Sequence, residues 1–100
     1  MTYSVKNYIP AGEKVLWQGK AARNTIPCEV VVTAKKLIMS NGYTVDVIPT
    51  RAISHISTGG DVGALFVRLF TNGGTNDDLR FDNDTAACTA FFNCLSERLE

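Results

Sequence analysis

One hundred residues, 45% hydrophobic and 20% charged, have the size and composition of one ordinary folded domain and exclude a disordered chain. The formal net charge is zero, so no long-range field draws the whole molecule to nucleic acid, and no nucleic-acid partner is expected. No apolar run approaches the ~18 residues of a membrane span, so no transmembrane segment is expected.

In chain order, "MTYSVKNYIP" lacks the apolar core of a signal peptide, and residues 1–8 are expected to be mobile. "YIPAGE" (8–13) reads as a turn, because Pro10 fixes its own φ and Gly12 permits unusual angles. "EKVLWQGK" (13–20) reads as a first strand with Val15 and Trp17 on one face and Leu16 on the other, and "AARNT" (21–25) as a loop. "IPCEVVVT" (26–33) is a second strand, entered at Pro27. Thr33–Lys36 forms a polar hairpin turn, "KLIMS" (36–40) returns, and Asn41-Gly42 is a strong hairpin signal. In "YTVDVIP" (43–49), Tyr43, Val45 and Val47 alternate with Thr44 and Asp46, and Pro49 ends the strand.

"RAISHIS" (51–57) is a fifth strand, closed by Gly59 and Gly60; "ALFVRLF" (64–70) is a sixth. The Gly-, Asn- and Asp-rich "TNGGTNDD" (71–78) is a turn, and "LRFD" (79–82) a seventh strand. The period then changes. Asn83 or Asp84 caps a helix over 85–99, with Cys88, Phe91, Leu95 and Leu99 on one stripe that Phe92 widens. Asp84 and Arg98, at opposite ends, both suit the helix dipole. The expected fold is mainly β: one domain over 1–100, a seven-stranded antiparallel barrel or sandwich whose open end is capped by the C-terminal helix, 84–99.

Charge is polarised along the chain. Residues 1–36 carry six basic against two acidic side chains, a balance of +4, and the remainder four against eight, a balance of −4. That polarity would bring copies together or present a basic face to an anion; scatter over a solvated surface is the plainer account. Cys28, Cys88 and Cys94 are odd in number and lack zinc-type spacing, which fits a reduced cytoplasmic chain without metal or cofactor.

Catalytic signals are sparse. His55 is the single histidine, without an orienting partner at a recognisable offset, so a packed or hydrogen-bonded residue is the better account. Asp77, Asp78, Asp82 and Asp84 lack calcium-loop spacing, and "GGDVG" and "NGG" lack the ending of a phosphate loop. Trp17, Phe66, Phe70, Phe81, Phe91 and Phe92 fit a core better than a base-stacking platform, which would need flanking cations.

Three stretches carry a family likeness: Glu13-x-Val15-Leu16, Val32-Thr33 with Lys36 and Ile38, and Ile48-Pro49 leading to Ile53 and Ile56. Together with the closing strand and helix over about residues 9 to 99, the chain resembles the bacterial pleckstrin-homology domains. The resemblance implies a seven-stranded barrel with a helical cap and no common catalytic apparatus. Phosphoinositide-binding members place several cations around the first hairpin; here "GKAARNT" offers only Lys20 and Arg23, with Lys14, Lys35 and Lys36 as neighbours. The expected function is a non-enzymatic binding or assembly module. Its sheet edge, or a basic end formed by Lys14, Lys20, Arg23, Lys35 and Lys36, contacts a protein partner or a second copy. Weak attachment to anionic membrane lipid through the same cations is the alternative, and a small enzyme built on His55 a remote one.

Overall fold

The computed structural model describes residues 8–9, 11–23 and 25–99. The expected mobility of residues 1–8, apart from Tyr8, and the role of Pro10 lie outside the described residues. Seven strands and one helix follow in order: β1 (Val15–Arg23), β2 (Ile26–Thr33), β3 (Lys36–Ser40), β4 (Val45–Pro49), β5 (Ile53–Gly59), β6 (Leu65–Thr71), β7 (Asn76–Asp82) and α1 (Thr85–Ser96). They form one antiparallel sheet in the order β4-β3-β2-β1-β7-β6-β5. β1 pairs with β2 along its length but with β7 only at Ala22 and Arg23, so the sheet turns a corner there. A short 3-10 turn, Thr50–Ala52, carries the chain from one edge strand to the other.

Alternation decides what fills the interior. Val30, Val32, Leu37, Met39, Val67, Leu69 and Leu79 point inward and are buried. α1 supplies Cys88, Phe91 and Leu95 to the same cluster, packing against β1, β2, β5, β6 and β7. The Phe91 ring lies 5.1 Å from Trp17 and 5.5 Å from Phe81, tying the helix to both halves of the sheet. Gly19 makes room for this cluster: a Cβ there would fall 2.6 Å from the Trp17 ring. Asp84 caps the helix, its Oδ1 accepting from the Ala87 N–H at 3.1 Å. These features are the capped, seven-stranded architecture expected of the sequence.

Boundaries differ where tertiary pairing overrides local preference. Residues 21–23 are strand, because Arg23 pairs with Ile26 and Thr25 takes the reversal at φ 68°. β7 starts at Asn76, earlier than expected: Asp77 and Asp78, poor strand formers, pair with Leu69 and Arg68 on β6. The helix ends at Ser96, and Leu99 lies beyond it, partly buried against the core.

Facing also differs. A bulge between Val15 and Trp17 breaks the alternation, leaving Val15 37% exposed while Trp17 packs inward. Val45 lies outside, with Ile9, against the buried Val31 and Ile38, and Ile48 supplies the inward contact of β4. Tyr43 is 79% exposed.

Candidate functional site

The two-residue reversal between β2 and β3 is held by one buried hydroxyl. Thr33 Oγ1 accepts from the backbone N–H of Lys35 at 3.3 Å and of Lys36 at 3.1 Å, and donates to Glu13 Oε1 at 2.7 Å. The carbonyl of Lys35 accepts from the Thr50 N–H at 2.8 Å and from its hydroxyl at 3.2 Å. That link fastens the β4–β5 connection beside the hairpin and brings Arg51 into the same neighbourhood. Equal strand lengths make this possible, since Lys36 pairs with Pro49.

Two open concavities adjoin the hairpin and share Ala34, Lys35 and Lys36. One, of about 460 Å³, is completed by Gly12, Glu13 and Lys14; the other, of about 430 Å³, by Pro49, Thr50 and Arg51. Lys14, Lys35, Lys36 and Arg51 thus surround a surface whose lining includes one acid, Glu13. Glu13 is occupied by the Thr33 hydroxyl and by a loose 4.0 Å approach of Lys36 Nζ. The arrangement can attract and hold an anion; it contains no nucleophile–base pair.

The five cations singled out in the sequence are not one end of the molecule. Lys14 immediately precedes β1 and Arg23 closes it, nine residues on, a separation of about 30 Å for extended chain. Lys20, midway, stands opposite Glu29 on β2. Arg23 is engaged: its Nε and Nη2 donate to Asp77 at 3.2 and 3.1 Å, and Nη1 donates to Asp46. Burial opposes its charge, but the hydrogen bonds and fields of Asp46 and Asp77 outweigh that and raise the guanidinium pKa. The structure therefore gathers Lys14, Lys35 and Lys36, adds Arg51, and separates Lys20 and Arg23. The sequence signal for Arg51 is the Asn41-Gly42 hairpin, which folds the chain back on β3 and sets Pro49 opposite Lys36.

His55, Cys88, Asp78 and Asp82 have structural partners. His55 packs against Phe70 at a tilt of 44°, with centroids 5.3 Å apart. Cys88 is buried, its sulfur 3.6 Å from the Thr58 hydroxyl. Burial pushes the Cys28 thiol up, a shift that Arg23 partly opposes, so it is a poor nucleophile. Asp78 receives Arg68 in a two-pronged contact at 2.7 and 3.1 Å, and Asp82 meets Arg80 at 3.6 Å. Among the described residues, no three of His, Cys, Asp and Glu gather in a group that could hold a metal. Nor is any described helix long and apolar enough to cross a membrane.

No family model and no curated protein matches the chain. A solved structure, the C-terminal domain of an unknown protein from Leishmania infantum, superposes with a TM-score of 0.69 at 17% identity, covering 96% of this chain and 92% of that one. That likeness establishes a shared fold.

Proposed function

We propose that the chain is a pleckstrin-homology-like binding module without catalytic activity, in which the Lys14–Lys35–Lys36–Arg51 end receives an acidic segment of a protein partner. The gathering of these four cations around two adjoining concavities carries the reading. Thr33 and Thr50 fix the backbone beneath them, so less order has to be imposed on binding. Cytoplasmic residence belongs to the same proposal and fits three free thiols.

Magnitudes favour a protein segment over a membrane. Four cations near an anionic bilayer contribute about 1 kcal/mol each, which corresponds to a millimolar affinity without a second anchor. A chain lying in the concavities adds backbone and side-chain contacts to that field.

The test is fluorescence anisotropy with a labelled Glu/Asp-rich peptide at low salt. Reversing two charges in the Lys35→Glu, Lys36→Glu variant costs about 2 kcal/mol, a loss of roughly 30-fold in affinity. Lys20→Glu leaves affinity within about twofold, its charge lying beyond a Debye length at moderate salt. Equal binding by the double variant and the parent refutes the proposal. Strong binding to anionic vesicles with none to the peptide moves the surface to a membrane role.

A further inference from the structure

The rolled sheet leaves two edges, and they are protected unequally. β4 is five residues long, carries Asp46 and ends in Pro49, all features that discourage a further strand. β5 is seven residues long and carries neither charge nor proline over His55–Gly59. The five residues of that stretch, His55, Ile56, Ser57, Thr58 and Gly59, include no Lys, Arg, Asp, Glu or Pro. Their pairing with Phe70–Phe66 of β6 is regular, since the register shift in this strand lies before His55. Among the described residues, this segment joins no backbone ladder except that of β6. His55 and Thr58 are exposed and Ser57 half-exposed. An edge of this kind is a template for another strand.

We propose that β5 pairs antiparallel with β5 of a second copy, making one sheet across a twofold axis at Ser57. This goes beyond the acidic-segment reading and uses a different surface from the cationic end. The segment is self-complementary. With the axis at Ser57, the two Ser57 hydroxyls face each other, Ile56 faces Thr58 of the second copy, and His55 faces Gly59. No like charges meet, and the zero net charge of the chain adds no overall repulsion between copies. A second copy is therefore a better occupant than a charged peptide, which would find nothing to pair its charges on this strand. A twofold contact also closes on itself, so growth stops at the dimer.

Light scattering after size exclusion, from low micromolar to near-millimolar protein, should show the mass rising from 10.9 kDa to twice that value and no further. Over the same range, hydrogen exchange at the β5 amides pointing away from β6 should slow, while β4 amides stay unchanged. Ser57→Lys places like charges directly across the axis and should raise the dimer dissociation constant ~10-fold or more. It should leave acidic-peptide binding intact, whereas Lys35→Glu with Lys36→Glu should leave the dimer intact, so the two surfaces fail separately. A constant 10.9 kDa mass, growth past the dimer, protection outside β5, or an unshifted dimer in Ser57→Lys each overturns the inference. Should the variant not fold, hydrogen exchange on the parent protein decides the matter by itself.

Discussion

Phe91→Ala tests whether the helix closes the sheet. Phe91 is fully buried, and its ring contacts Trp17 at 5.1 Å and Phe81 at 5.5 Å. Truncating a buried phenylalanine costs about 3–5 kcal/mol, because the removed ring leaves a cavity that its neighbours fill only in part. Two aromatic contacts are lost within that figure, each worth about 0.5–1.5 kcal/mol. A 100-residue domain has about 5–15 kcal/mol in total, so the variant should stay folded but lose a large fraction of its margin. The twelve-residue helix is too short to persist without its packing, which makes the loss cooperative. Urea unfolding followed by the fluorescence of Trp17, the sole tryptophan, and by circular dichroism should show coincident transitions at lower denaturant. The milder Phe91→Leu should cost about 1–2 kcal/mol. A loss below about 1 kcal/mol for Phe91→Ala would mean that the ring is not held in the core, and the capped sheet would have to be abandoned.

Other expectations follow from single contacts. Thr33→Val removes the hydroxyl that orders the β2–β3 turn, so it should cost about 1–3 kcal/mol in chemical unfolding and weaken acidic-peptide binding as Lys35 and Lys36 lose their fixed backbone. Arg23→Gln leaves Asp46 and Asp77 without their guanidinium and should cost about 1–2 kcal/mol, yet peptide affinity should not change, because Arg23 lies far from the cationic end. Asp78 is held below its ordinary carboxylate range by the hydrogen bond from Arg68, so the stability it gives is present above that range and lost as pH falls through the lowered value. The melting temperature of Arg68→Gln should accordingly lie below the parent's at neutral pH and converge with it in acid; a difference that persists in acid would contradict the assignment.

Much of the architecture is readable from alternation and turn chemistry. β2 and β3 match their expected bounds because Thr33 and Asn41-Gly42 mark both turns, and Asn41 Oδ1 does accept from the N–H groups of Tyr43 and Thr44 at 2.9 Å. The helix stripe is readable in Cys88, Phe91 and Leu95, all three buried. What escaped depends on three dimensions. "VVV" in β2 is buried on both faces, Val30 and Val32 inward and Val31 outward, and Ile38 of β3 lies outward with Val31, so counting apolar residues could not assign the face of β4, which pairs with β3. Asp77 and Asp78 read as turn because nothing in their own stretch reveals their partners: Arg23, far off in sequence on β1, and Arg68, directly opposite Asp78 on β6. The cationic end was half visible. Lys35 and Lys36 announce themselves, but grouping Lys20 and Arg23 with them overlooks the length of β1.

The binding-module reading is tested most directly by mapping where an acidic peptide binds. Amide spectra of uniformly ¹⁵N-labelled protein, titrated with a Glu-rich peptide at low salt, should shift at residues 12–14, 34–36 and 50–52 and recover as salt is added. Shifts centred on Arg23 and the 41–44 turn instead, or none at all, would contradict it.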